Sequence, residues 1–116
     1  MTETDICFLS AVKLRDYFLQ GKLSPVEVTN AIFKRLDQLQ PKLNAFVTVT
    51  KALAIKQASL AETAYRQGTE RPLSGIPISI KDLTATKGIR TTMGSLVHQD
   101  WVPKFDAPIV ERLLAA

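Results

Sequence analysis

The chain has 116 residues, 46% of them hydrophobic, and its 15 basic and 11 acidic residues leave a formal charge of +4. This length suits a single domain over residues 1–116, and no repeat or linker suggests a second one. The basic residues are scattered, without a run of like charges or interleaved aromatic residues, so direct nucleic-acid binding is not expected. No segment approaches the roughly 18 uninterrupted apolar residues of a membrane-spanning helix, so no membrane partner is expected either.

The cysteine and histidine content argues against a disulfide and against a metal site. Cys7 is the only cysteine, and His98 is the only histidine. A lone cysteine cannot form an intramolecular disulfide and fits a reducing compartment. The acidic, polar stretch over residues 1–5 lacks the positive charge and the apolar core of a signal peptide. We therefore expect a cytoplasmic protein that binds no metal and no organic cofactor.

Two helices are predicted in the first third of the chain. Apolar residues over Leu9–Gln20 suggest a short amphipathic helix with Ser10 as its cap. The segment Ser24–Glu27 then has the residue types of a capping box, with proline at the first helical position. Apolar residues continue at helical spacing from there, and we predict that Pro41 ends this second helix.

A strand and a helix are predicted next. The alternating, β-branched segment Asn44–Val49 is typical of a short strand. An alanine-rich helix over Thr50–Gln67 follows, and Gly68 is placed to close it. The small residues of this helix indicate close packing against another element.

A lysine stands at the polar end of a very apolar segment, Gly75-Ile76-Pro77-Ile78-Ser79-Ile80-Lys81-Asp82. If the segment is a strand, its isoleucines share one face, and Ser79 and Lys81 share the other. Burial disfavours an ammonium ion and lowers a lysine pKa, which makes a usable general base. The alternative is that Lys81 merely ends a strand with its head group in water.

The remaining segments are an irregular loop and a final helix. The loop is rich in threonine and glycine, which is typical of loops that line a site, although such residues also form ordinary turns. Asp106 is predicted to cap the last helix, with Pro108 in its first turn. The order helix, helix, strand, helix, strand, loop, helix predicts an α/β (or α+β) fold, with helices packed on a small incomplete mixed sheet.

Three ordered segments together resemble the amidase-signature family. They are Gly75–Asp82, the run Thr86-Lys87-Gly88-Ile89-Arg90-Thr91-Thr92-Met93-Gly94-Ser95, and Phe105–Leu113. The resemblance implies the N-terminal part of that family's fold. It also implies C–N amide hydrolysis by a nucleophilic serine, a second serine on a cis peptide bond and a lysine.

The resemblance assigns roles to several residues of this chain. Lys81 matches the catalytic lysine. Ser79 and Asp82 are candidate supporting residues beside it, and Asp82 either anchors the loop by hydrogen bonds or takes part in the chemistry. The segment Thr92-Met93-Gly94-Ser95 would form one wall of the substrate pocket. Both catalytic serines of the family belong to a Gly/Ser-rich run, and these 116 residues contain no such run. The chain alone is therefore predicted to be inactive.

Three functions stay open at this point. The first is an N-terminal fragment of an amidase-family hydrolase, with a small amide as substrate only in the full-length context. The second is a fragment of a tRNA-dependent amidotransferase A subunit, which hydrolyses the amide of glutamine. The third is a non-enzymatic remnant that pairs with itself or with a partner through an unpaired sheet edge, because such an edge can pair with another chain.

Overall fold

The structure, a computed structural model, describes all 116 residues and consists of α-helices joined by irregular segments. The helices are α1 (Glu3–Cys7), α2 (Ala11–Leu19), α3 (Pro25–Leu43), α4 (Lys51–Gln67) and α5 (Pro108–Ala115). A short 3₁₀ turn covers Leu96–His98. Contacts divide the chain into two compact units, one of residues 1–45 and 50–77 and the other of residues 46–49 and 78–116.

The first unit holds α1 to α4 around an apolar core. Helix α3 packs against α1 and α4, and α2 contacts α4. Three buried side chains form the centre of the core, Leu14, Phe18 and Val28. The Tyr65 ring of α4 lies 5.5 Å from the Phe18 ring, measured between centroids. Ala58 and Ala61 of α4 are buried, which confirms the close packing predicted for the alanine-rich helix.

The second unit is mostly irregular and is folded by backbone hydrogen bonds between distant loop positions. The Gly88 N–H donates to the Pro103 carbonyl at 3.0 Å, and the Thr91 N–H donates to the Trp101 carbonyl at 3.0 Å. Its buried side chains are few and mostly small, namely Ala85, Thr91, Thr92, Pro103 and Val110. Many of its large apolar side chains are exposed, and Leu96 and Val97 are the most exposed of them, at 85% and 87%.

The predicted α/β (or α+β) fold with a small mixed sheet is wrong, because no residue lies in a β-strand. The segments 44–49 and 75–82 are irregular. A strand needs a neighbouring strand with which its backbone groups pair. Around residues 46–49 the partners are side chains instead. The Thr48 hydroxyl donates to the Arg90 carbonyl at 3.2 Å, and Arg90 Nη2 donates to the Val47 carbonyl at 3.4 Å. This structure therefore has no sheet edge through which the chain could associate.

The helix boundaries agree with the capping signals in most places. Ser10 accepts from the Lys13 N–H at 3.2 Å. The capping box of α3 is complete, since Ser24 Oγ accepts from the Glu27 N–H at 3.1 Å and Glu27 accepts from the Ser24 N–H at 2.7 Å. Gly68 closes α4 at φ +67°. These three predictions are confirmed.

Two predicted boundaries are wrong. Helix α3 runs past Pro41 to Leu43 and is capped by Asn44 in the left-handed conformation at φ +46°. Pro41 sits in the last turn, where the missing N–H costs only one helical hydrogen bond. Asp106 does not cap α5, because its carboxylate accepts from the Lys87 N–H at 2.6 Å. The capping position is Ala107, and the prediction of proline in the first turn is confirmed.

Helix α1 was not predicted, although its signal is present. Thr2 Oγ1 accepts from the Asp5 N–H at 3.2 Å, and the Asp5 carboxylate accepts from the Thr2 N–H at 2.7 Å. This is a capping box with aspartate in place of the usual glutamate. Among all the helices, none combines the length and the apolar character required to cross a bilayer.

Candidate active site

Gly75 fixes the place where the lysine segment begins. Its φ of +75° lies in the region that favours glycine. A Cβ at this position would lie 2.6 Å from Pro25 Cγ and 3.3 Å from Ala61 Cβ. The segment therefore starts in close contact with the first turn of α3 and with α4, where only glycine fits.

Lys81 itself is accessible to solvent. The side chains of Lys81 and Ser79 are both exposed. The neighbouring isoleucines are not buried either, since Ile78 is 50% and Ile80 is 39% exposed. Ile76, at the start of the segment, is partly buried against the core of the first unit, but around Lys81 the predicted alternation buries neither face. Of the two alternatives for Lys81, the one with its head group in water describes this chain, although no strand is formed.

Asp82 joins the lysine segment to the threonine- and glycine-rich loop. Its Oδ1 accepts from the Thr92 N–H at 2.9 Å, and its Oδ2 accepts from the Thr92 hydroxyl. The Asp82 carbonyl accepts from the Met93 N–H at 3.1 Å. Hydrogen bonds from the Thr92 hydroxyl and then from its N–H hold the pKa of the Asp82 carboxyl below its usual range. Smaller contributions in the same direction come from the Gly94 N–H and the Arg90 charge.

The loop that Asp82 holds has an unusual backbone. Met93 and Gly94 are consecutive left-handed residues, at φ +56° and +67°. Thr92 is buried, whereas Met93 is 42% exposed. The Thr92 hydroxyl oxygen also accepts from the Gly94 N–H at 3.3 Å, and the Thr92 carbonyl accepts from the Ser95 N–H at 2.9 Å. The loop turns sharply at Met93 and presents that side chain outward.

The structure thus brings together some of the predicted site residues and not others. Asp82 contacts Thr92 and Met93 directly. The Gly94 N–H acts on the Asp82 carboxylate and also donates to the Thr92 hydroxyl oxygen, and Ser95 is joined through the Thr92 carbonyl. Ser95 Oγ accepts from the Val97 N–H at 3.2 Å and so caps the 3₁₀ turn. Ser79 is not among the residues joined in this way.

Arg90 is a supporting residue that the sequence did not indicate. Its Nη1 donates to the Gln99 carbonyl at 2.7 Å, and its Nη2 and its carbonyl bind residues 47 and 48. Arg90 therefore ties the segment between α3 and α4 to the loop that follows Lys81. An arginine among threonines and glycines was the only signal for this role.

The best-defined cavity does not contain the candidate site. It encloses about 50 Å³ and is lined by residues of α1 and α3, including Glu3, Lys34 and Arg35. Lys34 is paired there with Glu3 at 2.5 Å. None of the residues predicted for the amide site lines this cavity, so we attach no catalytic role to it.

Comparison with known proteins decides the family. The profile of the family described as Amidase matches residues 27–116. The chain belongs to the amidase family. This confirms the resemblance seen in the sequence. The matched range includes every residue predicted for the site, from Ser79 through Lys81 and Asp82 to the loop over residues 92–95.

Several curated proteins are similar to this chain. The glutamyl-tRNA(Gln) amidotransferase A subunit of Dehalococcoides mccartyi strain BAV1 is 39% identical over 110 residues, which cover 95% of this chain and 23% of the relative. Its counterpart in Carboxydothermus hydrogenoformans is 37% identical over 113 residues, or 97% and 23% of the two chains. The counterpart in Geobacter metallireducens is 39% identical over 108 residues, or 93% and 22%. The chain spans less than a quarter of the length of these relatives.

Proposed function

We propose that this chain supplies the lysine of a site that hydrolyses the C–N bond of an amide, with Lys81 as the base of a serine, cis-serine, lysine relay. The observation that carries the proposal is the amidase-family match over residues 27–116, which contains Lys81 within the segment Gly75–Asp82. The hydrogen bonds that the Asp82 carboxylate accepts from Thr92 support the proposal, because they organise the residues next to Lys81 into a defined surface.

The proposed chemistry is acyl transfer through a relay of protons. Neutral Lys81 accepts a proton from the bridging serine, which in turn accepts the proton of the nucleophilic serine. The serine oxygen bonds to the amide carbon, the C–N bond breaks, and the leaving amine takes the proton back through the same relay. Water then hydrolyses the acyl-serine and restores the free hydroxyl. In this scheme Lys81 must be shielded from water in the working enzyme, since desolvation favours the neutral amine.

Both serines of the relay are proposed to lie outside these 116 residues. The chain holds six serines and five glycines, and no two glycines are adjacent. Ser79 and Ser95, the two serines that share the second unit with Lys81, lack a glycine-rich backbone after them. Consecutive backbone N–H groups of that kind are what stabilise the oxyanion in acyl transfer. The chain alone is therefore expected to be inactive.

A second candidate function is that of an amidotransferase A subunit. It is favoured by the relatives, because the three similar proteins described above are all A subunits of glutamyl-tRNA(Gln) amidotransferase. In that case the amide is the side chain of glutamine, and the ammonia released passes to a partner protein. The two functions share the same role for Lys81 and differ in the substrate.

A chimeric enzyme tests both candidates. This chain replaces the 110 matching residues of the Dehalococcoides mccartyi protein, and ammonia release is measured with butyramide and with glutamine. We expect Lys81→Ala to lower kcat by about 10²- to 10⁴-fold, which is the usual contribution of a positioned general base. Lys87→Ala is the matched control, because Lys87 is an exposed lysine of the same unit and lies outside the proposed relay.

The outcomes separate the alternatives. Turnover of butyramide in preference to glutamine supports the amidase function, and the reverse preference supports the amidotransferase function. A folded chimera whose Lys81→Ala variant retains full activity would overturn the proposed role of Lys81. A folded chimera without activity on either amide would mean that this segment does not supply a competent lysine.

A further inference from the structure

We propose that Asp82 is a positioning residue that fixes the loop Thr92–Gly94 and thereby holds the Met93 side chain beside the lysine segment, as an apolar contact for the acyl group of an amide substrate. This inference deepens the proposed function and rests on it for the identity of the ligand. The conformational part of the inference, that Asp82 sets the shape of the loop, is independent of any activity.

Asp82 accepts hydrogen bonds from two neighbouring loop residues, through its carboxylate and through its main-chain carbonyl. One carboxylate oxygen accepts from the Thr92 N–H at 2.9 Å, and the other accepts from the Thr92 hydroxyl. The main-chain carbonyl of Asp82 accepts from the Met93 N–H at 3.1 Å. The residue directly after Lys81 is therefore bound to two consecutive residues of the loop. This places the Met93 backbone within 3.1 Å of the lysine segment.

The Met93 backbone needs such support. A residue with a Cβ seldom adopts a positive φ, and the conformation persists only where the surroundings enforce it. Asp82 binds Thr92, which precedes Met93, and also binds Met93 itself. The Thr92 hydroxyl, which Asp82 orients, accepts from the N–H of Gly94, the residue after Met93, at 3.3 Å. The left-handed turn at φ +56° is thus held from both sides. Without the carboxylate, we expect the turn to relax.

A carboxylate suits this task better than its amide analogue. An ionised aspartate accepts hydrogen bonds on both oxygens, whereas asparagine replaces one of these acceptors with an N–H₂ donor. The donors that face Asp82 are the uncharged hydroxyl and N–H groups of the loop. The charged group nearby is Arg90, whose guanidinium donates to the Gln99 and Val47 carbonyls. The arrangement is therefore a carboxylate that organises neutral donors rather than half of an ion pair.

Met93 is the side chain that this arrangement makes available to a ligand. Its side chain is 42% exposed, and it is presented by a turn bound to the residue next to Lys81. Methionine is flexible and polarizable, so it adapts to apolar groups of different shape. The expected ligand is therefore a primary amide with an aliphatic acyl group, with its carbonyl toward the lysine segment and its alkyl chain on Met93.

The conformational part is tested by NMR on this chain, labelled with ¹⁵N and with ¹³C at the methionine methyl groups. In an acid titration of the wild type, the amide signals of Thr92 and Gly94 should shift together, with a common midpoint below 3.8, the ordinary carboxyl value. This shared step should be absent in Asp82→Asn and present in Asp100→Asn, which removes an exposed carboxylate of the same unit. Amide exchange of Met93 and Gly94 should be about tenfold or more faster in Asp82→Asn, because charge-assisted bonds are lost.

The ligand part uses butyramide as the probe. Butyramide should shift the Met93 methyl signal in the wild type and in Asp100→Asn, and this shift should be lost in Asp82→Asn. If Asp82→Asn does not fold, Thr92→Val takes its place, because it removes one donor to Asp82 and keeps the shape of the side chain. Thr92→Ser keeps the hydroxyl and should restore the shift.

Two results would overturn the inference. If the Thr92 and Gly94 amides keep their shared titration step in Asp82→Asn, another group controls the loop. If butyramide shifts the Met93 methyl equally with and without the Asp82 carboxylate, or not at all in the wild type, Met93 is not a contact held by Asp82. Loss of the proposed function shows separately, as a chimera indifferent to Lys81→Ala, while these NMR signals still report on the loop.

Discussion

Gly75→Ala is expected to destabilise the first unit more than any ordinary glycine replacement. Two independent effects act at this position. The φ of +75° costs a residue with a Cβ about 1–2 kcal/mol. The new Cβ would also lie 2.6 Å from Pro25 Cγ and 2.9 Å from Pro25 Cβ, and overpacking of this kind costs about 1–3 kcal/mol. The free energy of unfolding should therefore fall by about 2–5 kcal/mol.

A matched control separates the backbone effect from the steric effect. Gly68 has a similar φ of +67°, and a Cβ there would meet nothing within 4 Å. Gly68→Ala should consequently lose only the backbone part, about 1–2 kcal/mol. Pro25→Ala removes the nearest atom that the new Cβ meets, so the double variant should be more stable than the sum of the single changes predicts.

The measurement is urea unfolding followed by circular dichroism at 222 nm, with the dependence on denaturant compared between variants. An unchanged slope with a lower midpoint indicates a loss of stability rather than a change in the unfolded state. If Gly75→Ala and Gly68→Ala lose the same stability within about 0.5 kcal/mol, the close contact with Pro25 has no energetic effect. Glycine would then not be the only residue that fits at the start of the lysine segment.

Three further predictions concern the helix caps, Tyr65 and association. Ser24→Ala removes the capping box of α3 and should lower the free energy of unfolding, measured in urea, by about 1 kcal/mol. The control Ser59→Ala, on an exposed stretch of α4, should change it by less than about 0.5 kcal/mol. Equal losses in the two variants would contradict the role of the cap. Burial raises the pKa of Tyr65, so in a Tyr17→Phe variant the absorbance at 295 nm should titrate with a midpoint above 10.0. The stability that the neutral phenol contributes is present below this midpoint and is lost as the pH rises through it. A midpoint at or below 10.0 would refute the raised pKa. The exposed apolar side chains at 96–97 should promote self-association. Light scattering should therefore give a mass above 12.8 kDa, and this mass should fall when both residues are changed to serine. A monomer at all concentrations would exclude self-association.

The helices of the first unit could be predicted from the sequence because their signals are local. A serine hydroxyl at Ser24 and the carboxylate three residues later satisfy each other's N–H groups whatever surrounds them. Gly68 is equally local, since its left-handed conformation depends only on the missing Cβ. Such signals predicted where α3 begins and where α4 ends.

The predictions of strands were wrong because a strand forms only with a neighbouring strand to pair with. Alternation over residues 44–49 indicates which side chains share a face, but it does not supply a second strand with which to pair. The boundaries at Pro41 and Asp106 failed for a related reason. A proline in the last turn removes only one hydrogen bond, and the Asp106 carboxylate binds an N–H that lies 19 residues earlier in the chain.

The candidate site was predicted in part. Lys81 and its neighbours were selected by motif, and the family match includes them. Asp82 was predicted as a supporting residue, but its partner Thr92, ten residues later, could not be derived from spacing in an irregular loop. Arg90 was missed altogether, because its partners lie on both sides of it at distances that no local pattern encodes.

The chain path between the two units has a consequence for the order of folding. Residues 46–49 belong to the second unit, yet they lie between α3 and α4 of the first. Their partner Arg90 follows 42 and 43 residues after Thr48 and Val47, so closing this loop in an unfolded chain costs about 3 kcal/mol of entropy. Formation of α3 and α4 anchors the segment at both ends and shortens the search. We therefore expect the first unit to fold first, and no single cut in the backbone can release the second unit whole.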